Sequence, residues 1–177
     1  MSDEKNIIEI LKNGSLKQVK KITTTFDIDF LKDIITNNYM EIIGAICENN
    51  KYETLMWLIY IIKRRAGLKL FDGQETKCQE IFTNTCEKGH VKILRILISS
   101  CDDKRVIGEL VFFSNDFFNF ITAYDNDHID VIDYLYTFAS INLLEKMSIR
   151  NIPFARRKLM ERLNISSSPR RSRSRRR

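Results

Sequence analysis

The sequence predicts an all-α fold, a solenoid of about four helix-turn-helix repeats. Four short polar segments, anchored at Gly14, Asn50, Gly89 and Asp127, recur at spacings of 36, 39 and 38 residues. Apolar residues precede and follow each anchor at matching offsets. A period of roughly 20 to 50 residues is typical of repeat architectures, whose stacked units share one continuous core.

The segment after each anchor predicts a helix. Apolar residues lie two, five and eight positions after the anchor, and such steps follow one face of an α-helix. The third unit has Val91, Leu94 and Leu97 at these offsets. The other units have Leu16, Val19 and Ile22, then Tyr52, Leu55 and Leu58, then Ile129, Ile132 and Leu135.

The segment before each anchor predicts the other helix of each hairpin. The positions seven and four residues before the anchor form a second face three residues apart. They hold Ile7 and Ile10, Ile43 and Ile46, Phe82 and Thr85, and Phe120 and Ala123. Cys47 and Cys86 share the position three before the anchor, where a small residue lets two helices approach. His90 and His128 share the position directly after it.

The third unit resembles an ankyrin repeat. Its segment 82–98, FTNTCEKGHVKILRILI, has the small residues of the first helix, the GH turn and an apolar second helix. Segments 44–60 and 121–136 are similar to it, and the resemblance spans about residues 7–138. It implies stacked helix pairs that bind a partner protein, as in the divergent ankyrin proteins of large DNA viruses and protists.

Two features depart from the ankyrin pattern. The TPLH tetrapeptide is replaced by residues 80–83, EIFT, and the spacing exceeds the usual 33 or so residues. We expect the extra residues in the connections 65–77 and 101–116, which carry turn signals.

A closing pair of helices is predicted over residues 141–150 and 154–163. The second begins after Pro153, a residue that suits the first turn of a helix. The repeat domain with this C-terminal cap is then residues 1–164, and residues 165–177 form a tail. The basic residues expected on the water-facing side of the cap are Arg156, Arg157, Lys158 and Arg162.

The tail is predicted to be disordered and to seek anions. Residues 166–177, SSSPRRSRSRRR, contain no apolar residue that could offset chain entropy. The whole net charge of +6 lies in this tail. Guanidinium groups pair with phosphate oxygens in a two-pronged geometry, so contact with RNA or DNA is one interpretation. A nuclear import signal and a merely solubilising end are the alternatives. The six arginines are Arg170, Arg171, Arg173, Arg175, Arg176 and Arg177.

The tail also resembles the arginine-serine segments of splicing proteins and the arginine-rich end of hepadnavirus core proteins. The resemblance implies phosphorylation at Ser168, Ser172 and Ser174. Each phosphate would add about 1.5 to 2 negative charges, so three would cancel most of the arginine charge.

The composition offers little for catalysis. Catalytic sites need a nucleophile, base, metal or cofactor loop in convergent geometry. This chain has two histidines in equivalent turns and six glycines without a phosphate-binding cluster. His90 and His128 are interpreted as turn-stabilising hydrogen-bond groups rather than zinc ligands. We expect no enzyme activity, cofactor, metal or small-molecule substrate.

The sequence also predicts an intracellular protein, cytoplasmic or nuclear, in the host cell if it is viral. The longest apolar run, residues 55–62, is far short of the roughly 20 residues that a membrane crossing needs. Residues 1–6 are polar and carry acids, unlike a signal peptide. The four cysteines show no CxxC pair, so reduced thiols are expected.

Two aromatic features leave alternatives open. Five phenylalanines crowd residues 112–120, and they would form a partner site if exposed or fill the core beneath a long connection if buried. Trp57, in the same slot as Ile96 and Tyr134, has the same two interpretations. The five are Phe112, Phe113, Phe117, Phe118 and Phe120.

Two functional hypotheses follow. In the first, the repeats form a concave protein-binding surface, and the tail directs location or tunes affinity. In the second, the protein is a nucleic-acid-associated or packaging factor whose tail binds RNA or DNA. The neutral body counts against a broad nucleic-acid groove, since it carries 23 basic and 23 acidic residues once the six tail arginines are set aside from the 29.

Overall fold

The regular structure is entirely helical within the described part of the chain. A computed structural model describes residues 2–66, 75–101, 117–152 and 154–167. The all-α prediction is confirmed for these residues. The helices are α1 (Ser2–Asn13), α2 (Leu16–Thr25), α3 (Ile28–Asn37), a π-helical turn (Met40–Gly44), α4 (Ala45–Glu48), α5 (Tyr52–Ala66), α6 (Glu75–Glu87), α7 (Val91–Ser100), α8 (Phe118–Asp125), α9 (Ile129–Tyr136), α10 (Ile141–Ile149) and α11 (Ala155–Ser167).

The helices pack as pairs, and successive pairs lie side by side. Helix α1 contacts α2, α4 contacts α5, α6 contacts α7, and α8 contacts α9. The first helices contact one another in the order α1, α4, α6, α8, and the second helices in the order α2, α5, α7, α9. Each predicted anchor therefore separates two helices that pack against each other.

Three of the four anchor turns share one conformation. Asn50, Gly89 and Asp127 have φ values of 54°, 69° and 59°, in the left-handed region that favours Gly, Asn and Asp. The next residue's amide donates back to a carbonyl five residues earlier. The distances are 3.0 Å for Lys51 to Ile46, 3.1 Å for His90 to Thr85 and 2.8 Å for His128 to Ala123. This closure ends the first helix by satisfying its last carbonyls.

The first anchor turn is built differently. The Gly14 amide donates to the Ile10 carbonyl at 2.8 Å, and α2 then begins with a capping box. The Ser15 hydroxyl accepts from the backbone N–H of Gln18, while Oε1 of Gln18 accepts from the backbone N–H of Ser15 at 2.8 Å. The alignment on Gly14 therefore matches in position but not in backbone conformation.

The predicted apolar faces form the core, apart from half-buried Ile10 and the position two residues after each anchor. The residues five after each anchor, Val19, Leu55, Leu94 and Ile132, are fully buried. The positions seven before and eight after the anchor are buried in all four units. The position two after the anchor is only half-buried in three units, and Ile129 there is exposed. This position lies at the turn end of the second helix, at the margin of the core.

Helix α3 was not predicted. It lies between the first and second units, where Asp27 caps it by accepting from the amides of Asp29 and Phe30. Its buried face is Leu31, Ile34 and Ile35, and it contacts α1 and α5.

The residues in excess of the usual ankyrin spacing were expected in two connections, 65–77 and 101–116. Of those two connections, residues 67–74 and 102–116 lie outside the described residues, residues 65–66 end α5, residues 75–77 begin α6, and residue 101 directly follows α7.

The closing helix pair is present and differs in detail from the prediction. Helices α10 and α11 pack on each other, and α11 extends to Ser167. Residues 165–167, assigned to the tail from the sequence, are therefore helical. Asn151 forms a further left-handed turn, with φ of 56° and the Ile152 amide donating to Met147 at 2.9 Å.

The expected water-facing basic side of α11 is only half correct. Arg156 and Arg157 are exposed, as predicted. Lys158 and Arg162 instead point toward the preceding pair and are half-buried. The Lys158 Nζ lies 2.9 Å from Asp133 Oδ1, and the Arg162 guanidinium donates to the carbonyls of Tyr136 and Ala139. These cations hold α11 against the end of α9, where a helix terminus leaves carbonyls without helical partners.

Candidate binding surfaces

In the second and third units, the residue directly after the anchor bridges to the preceding unit. His90 Nδ1 lies 3.0 Å from the carbonyl oxygen of Cys47 in the preceding unit. Lys51 Nζ, in the equivalent position, donates to the Lys12 carbonyl at 3.2 Å. A carbonyl only accepts, so Nδ1 of His90 carries the proton. The hydrogen bond expected of His90 is thus made to the preceding unit rather than within its own turn.

His128 occupies the same position in the fourth unit and packs on Gly89. A Cβ added at Gly89 would lie 2.4 Å from His128 Nδ1. Only glycine leaves room for this imidazole and also adopts the left-handed backbone without strain. Within the described residues no three His, Cys, Asp or Glu side chains gather as a metal site.

Three of the four cysteines belong to the core. Cys47, Cys78 and Cys86 are buried, Cys101 is half-buried, and no disulfide joins any of the four. Burial raises the pKa of the Cys47 thiol to about 12, and the neighbouring Cys78 adds to the shift. Burial likewise raises the pKa of Cys86. Nucleophilic reactivity requires the thiolate, so these groups are inert at neutral pH.

A groove runs across the first helices of the first three units. We call it the first-helix groove; it has a volume of about 380 Å³. Small residues, Gly44 and Ala45, line its floor, and the space above Gly44 is open because a Cβ added there would meet nothing within 4 Å. Gly44 lies in the π-helical turn, which inserts an extra residue ahead of α4. The lining residues are Lys12, Met40, Glu41, Gly44, Ala45, Cys47, Glu48, Glu80, Ile81 and Asn84.

Ion pairs between units lie along the rim of this groove. Lys12 Nζ lies 2.8 Å from Glu41 Oε1, and Lys88 Nζ lies 2.7 Å from Glu48 Oε1. The hydrogen bond from Lys88 lowers the pKa of Glu48, and the bond to Glu41 raises the pKa of Lys12. Both pairs are substantially solvated and contribute little to stability, but they keep the rim polar. Glu80 adds an exposed carboxylate.

Charge is divided between the two sides of the helix pairs. Among the side chains that the structure describes, the first helices and the π-helical turn carry eight acidic residues and two basic ones. The second helices carry six basic residues and three acidic ones. The neutral total predicted for the body therefore conceals an acidic and a basic side. The first set is Asp3, Glu4, Glu9, Glu41, Glu48, Glu80, Glu87 and Asp125 with Lys5 and Lys12; the second is Lys17, Lys20, Lys21, Lys63, Lys92 and Arg95 with Glu53, Asp130 and Asp133.

Aromatic residues are prominent on the basic side. Trp57 is half-buried against the core, and its Nε1 donates to Thr23 Oγ1 at 2.8 Å. Its ring centroid lies 5.7 Å from that of Tyr60, and Lys20 Nζ lies 4.8 Å above the Trp57 ring. Packing against the core, one of the two interpretations of Trp57, accounts for the buried part of its ring. Lys92 Nζ similarly lies 4.7 Å from the Tyr52 ring.

The phenylalanine cluster divides between core and surface. Phe117 and Phe120 are buried, which supports core filling at these positions, whereas Phe118 is 46% exposed. Phe112 and Phe113 lie outside the described residues.

The predicted tail sites also lie outside the described residues. They are Ser168, Ser172, Ser174, Arg170, Arg171, Arg173, Arg175, Arg176 and Arg177.

No helix in the described part of the chain is long and apolar enough to cross a membrane. No family model, curated protein or solved structure matches the sequence.

Proposed function

We propose that the protein is an ankyrin-like solenoid that binds a partner protein along its first-helix groove. The observation that carries this proposal is the repeated left-handed turn at Asn50, Gly89 and Asp127, which sets equivalent helix pairs side by side. Stacked repeats of this kind present extended concave surfaces. The tail would direct location, cytoplasmic or nuclear, or tune affinity.

The chemistry of the groove favours a partner segment with basic side chains. The small floor at Gly44 and Ala45 permits close backbone approach, and the rim carries Glu41, Glu48 and Glu80. Complementary charge speeds encounter and selects among partners more than it adds affinity. The proposal involves no catalytic chemistry, metal or cofactor.

Two substitutions in the groove test the proposal. Gly44→Leu projects a side chain into the open space that a Cβ at Gly44 would enter, and Glu80→Lys reverses charge at the rim. Glu145→Lys, on the exposed side of α10, is the control with the same charge change. The full chain and these variants would be used to capture partners from nuclease-treated extract, with quantitative mass spectrometry.

The set of proteins that each variant captures decides whether the groove binds a protein. We expect a defined set of proteins retained by the wild type and Glu145→Lys and lost at least tenfold from both groove variants. Capture that is equal in all four proteins, or that disappears with nuclease treatment, would contradict a protein-binding groove.

The second candidate function is nucleic-acid association through the six tail arginines. Its support is the concentration of the net charge of +6 in residues 170–177. Filter binding of RNA by the full chain and by a chain ending at Ser167 tests it. Loss of binding on truncation supports a tail contact, whereas equal binding by both chains, or by neither, rejects it.

A further inference from the structure

The outer face of the second helices carries cations around an aromatic centre. We call its six residues the cationic-aromatic surface: Lys20, Lys21, Met56, Trp57, Tyr60 and Arg95. Lys20 and Lys21 are on α2, the apolar and aromatic residues are on α5, and Arg95 is on α7. Since α5 contacts both neighbours, the aromatic residues lie between the cations.

The register of the repeats fixes this arrangement. Lys20 and Arg95 lie six residues after their anchors, the position that Met56 occupies in α5. All three side chains are exposed, Met56 by 53% and Tyr60 beside it by 47%. Neighbouring exposed apolar groups rimmed by polar side chains are typical of interaction sites.

The aromatic centre is held in place from below. The hydrogen bond from Trp57 to Thr23 fixes the indole, and Thr23 in turn donates to the Val19 carbonyl at 3.0 Å. The Tyr60 ring is inclined by 30° to the indole at 5.7 Å. The platform is therefore ordered before any ligand arrives, which lowers the entropy cost of binding.

The neighbouring carboxylates leave this surface positive. Asp133, in the position of Lys20 and Arg95 on α9, forms an ion pair with Lys158 at 2.9 Å. Glu53 lies in the first turn of α5, near the anchor end of the helix. The stretch from six to ten residues after the anchors has no carboxylate on α2, α5 or α7.

We propose that the cationic-aromatic surface binds single-stranded nucleic acid. Bases would stack on Tyr60 beside Trp57, and backbone phosphates would contact Lys20, Lys21 and Arg95. Cations along the backbone with aromatic stacking platforms are the recurring means of holding single strands without sequence preference. This site shares no residue with the tail or with the first-helix groove, so the proposal does not depend on either of those surfaces binding a partner.

Trp57 reports directly on this surface because it is the sole tryptophan of the chain. The full chain would be titrated with a short oligothymidylate while Trp57 fluorescence and filter binding are recorded together. The test variant is Lys21→Glu with Arg95→Glu. The control is Lys5→Glu with Lys146→Glu, an equal charge change on exposed residues of α1 and α10.

We expect saturable quenching of Trp57 by the oligothymidylate in the wild type and the control. The test variant should bind at least tenfold more weakly. The slope of its log affinity against log salt concentration should become less steep by about 1.4, which is about 0.7 for each of the two lost phosphate contacts on a single strand. Tyr60→Ser, which removes the stacking ring and no charge, should reduce quenching with little change in this slope.

Three results would overturn the proposal. One is unchanged Trp57 fluorescence when filter binding is saturated, which would place the strand on the tail alone. Another is an equal loss of affinity in the test and control variants. The third is equal quenching by a duplex, whose paired bases cannot stack on a tyrosine.

Discussion

The left-handed residues of the turns determine where each first helix ends. The sequence anchors identified three of them, Asn50, Gly89 and Asp127, because Gly, Asn and Asp tolerate this conformation. Gly14 has the same residue type but a different backbone, because Ser15 and Gln18 offer a capping box instead. Asn151 was missed because Pro153, two residues later, breaks the helical pattern used in the alignment. Composition therefore indicates a turn, and neighbouring side chains select its conformation.

Gly89→Ala should be strongly destabilising. The added Cβ meets both a positive φ and the His128 imidazole, so we expect a loss of about 1 to 3 kcal/mol. Urea unfolding followed by circular dichroism measures it. Combining Gly89→Ala with His128→Ala should recover the stability lost to the clash with the imidazole, but not the stability lost to the positive φ. A Gly89→Ala protein as stable as the wild type would contradict this turn geometry.

The thiols should label in the order of their burial. At pH 8, iodoacetamide should modify half-buried Cys101 first, while Cys47 and Cys86 stay unreactive because their raised pKa values keep them protonated. In urea all four should react at similar rates. Peptide mass spectrometry after timed quenching measures the order. Labelling of native Cys47 as fast as Cys101 would show that the α4 core position is open.

At the scale of elements, the repeat pattern predicted the helix pairs but not α3. The signals for α3 are in the sequence, with Asp27 as a cap and Leu31, Ile34 and Ile35 at helical spacing. They were overlooked because the alignment assigned the whole interval to two helices per unit. The π-helical turn was not predicted either, because no local sequence motif marks it; its Ile42 and Ile43 are buried in the core.

Asp27→Ala tests the cap of α3. Loss of an N-cap aspartate should cost about 0.5 to 2 kcal/mol. Asp33→Ala, exposed on the same helix, is the matched control and should change stability by under about 0.5 kcal/mol. Denaturant unfolding gives both values, and hydrogen exchange should show faster opening confined to α3. Equal effects of the two substitutions would argue against the cap.

Arg162→Ala should loosen α11 from the end of α9. Its guanidinium donates to two carbonyls there, and hydrogen bonds to charged groups contribute about 1.5 to 3 kcal/mol. Arg156→Ala, on the exposed side, should have almost no effect. Limited proteolysis of the two variants compares them. Equal cleavage rates within α11 would mean that the helix is held by other contacts.

For the whole molecule, the sequence predicted a charged tail and a neutral body, but not how charge is divided between the sides of that body. Assigning charges to the first and second helices required knowing that the helices stack in two rows. That arrangement places Lys20 and Arg95 on either side of α5 and gathers Glu41, Glu48 and Glu80 at the groove. A neutral total is compatible with one acidic side and one basic side, and only the packing distinguishes that from a uniform surface.

The claim on which both surfaces depend is that successive helix pairs stack side by side. Spin labels at Lys17 and Lys92, or at Lys17 and Asp130, in a Cys101→Ser background would measure it by pulsed electron resonance. These residues share one position in units one, three and four. With neighbouring helices about 10 Å apart, the account predicts mean distances of roughly 20 and 30 Å. A Lys17 to Asp130 distance no longer than Lys17 to Lys92 would contradict the stack.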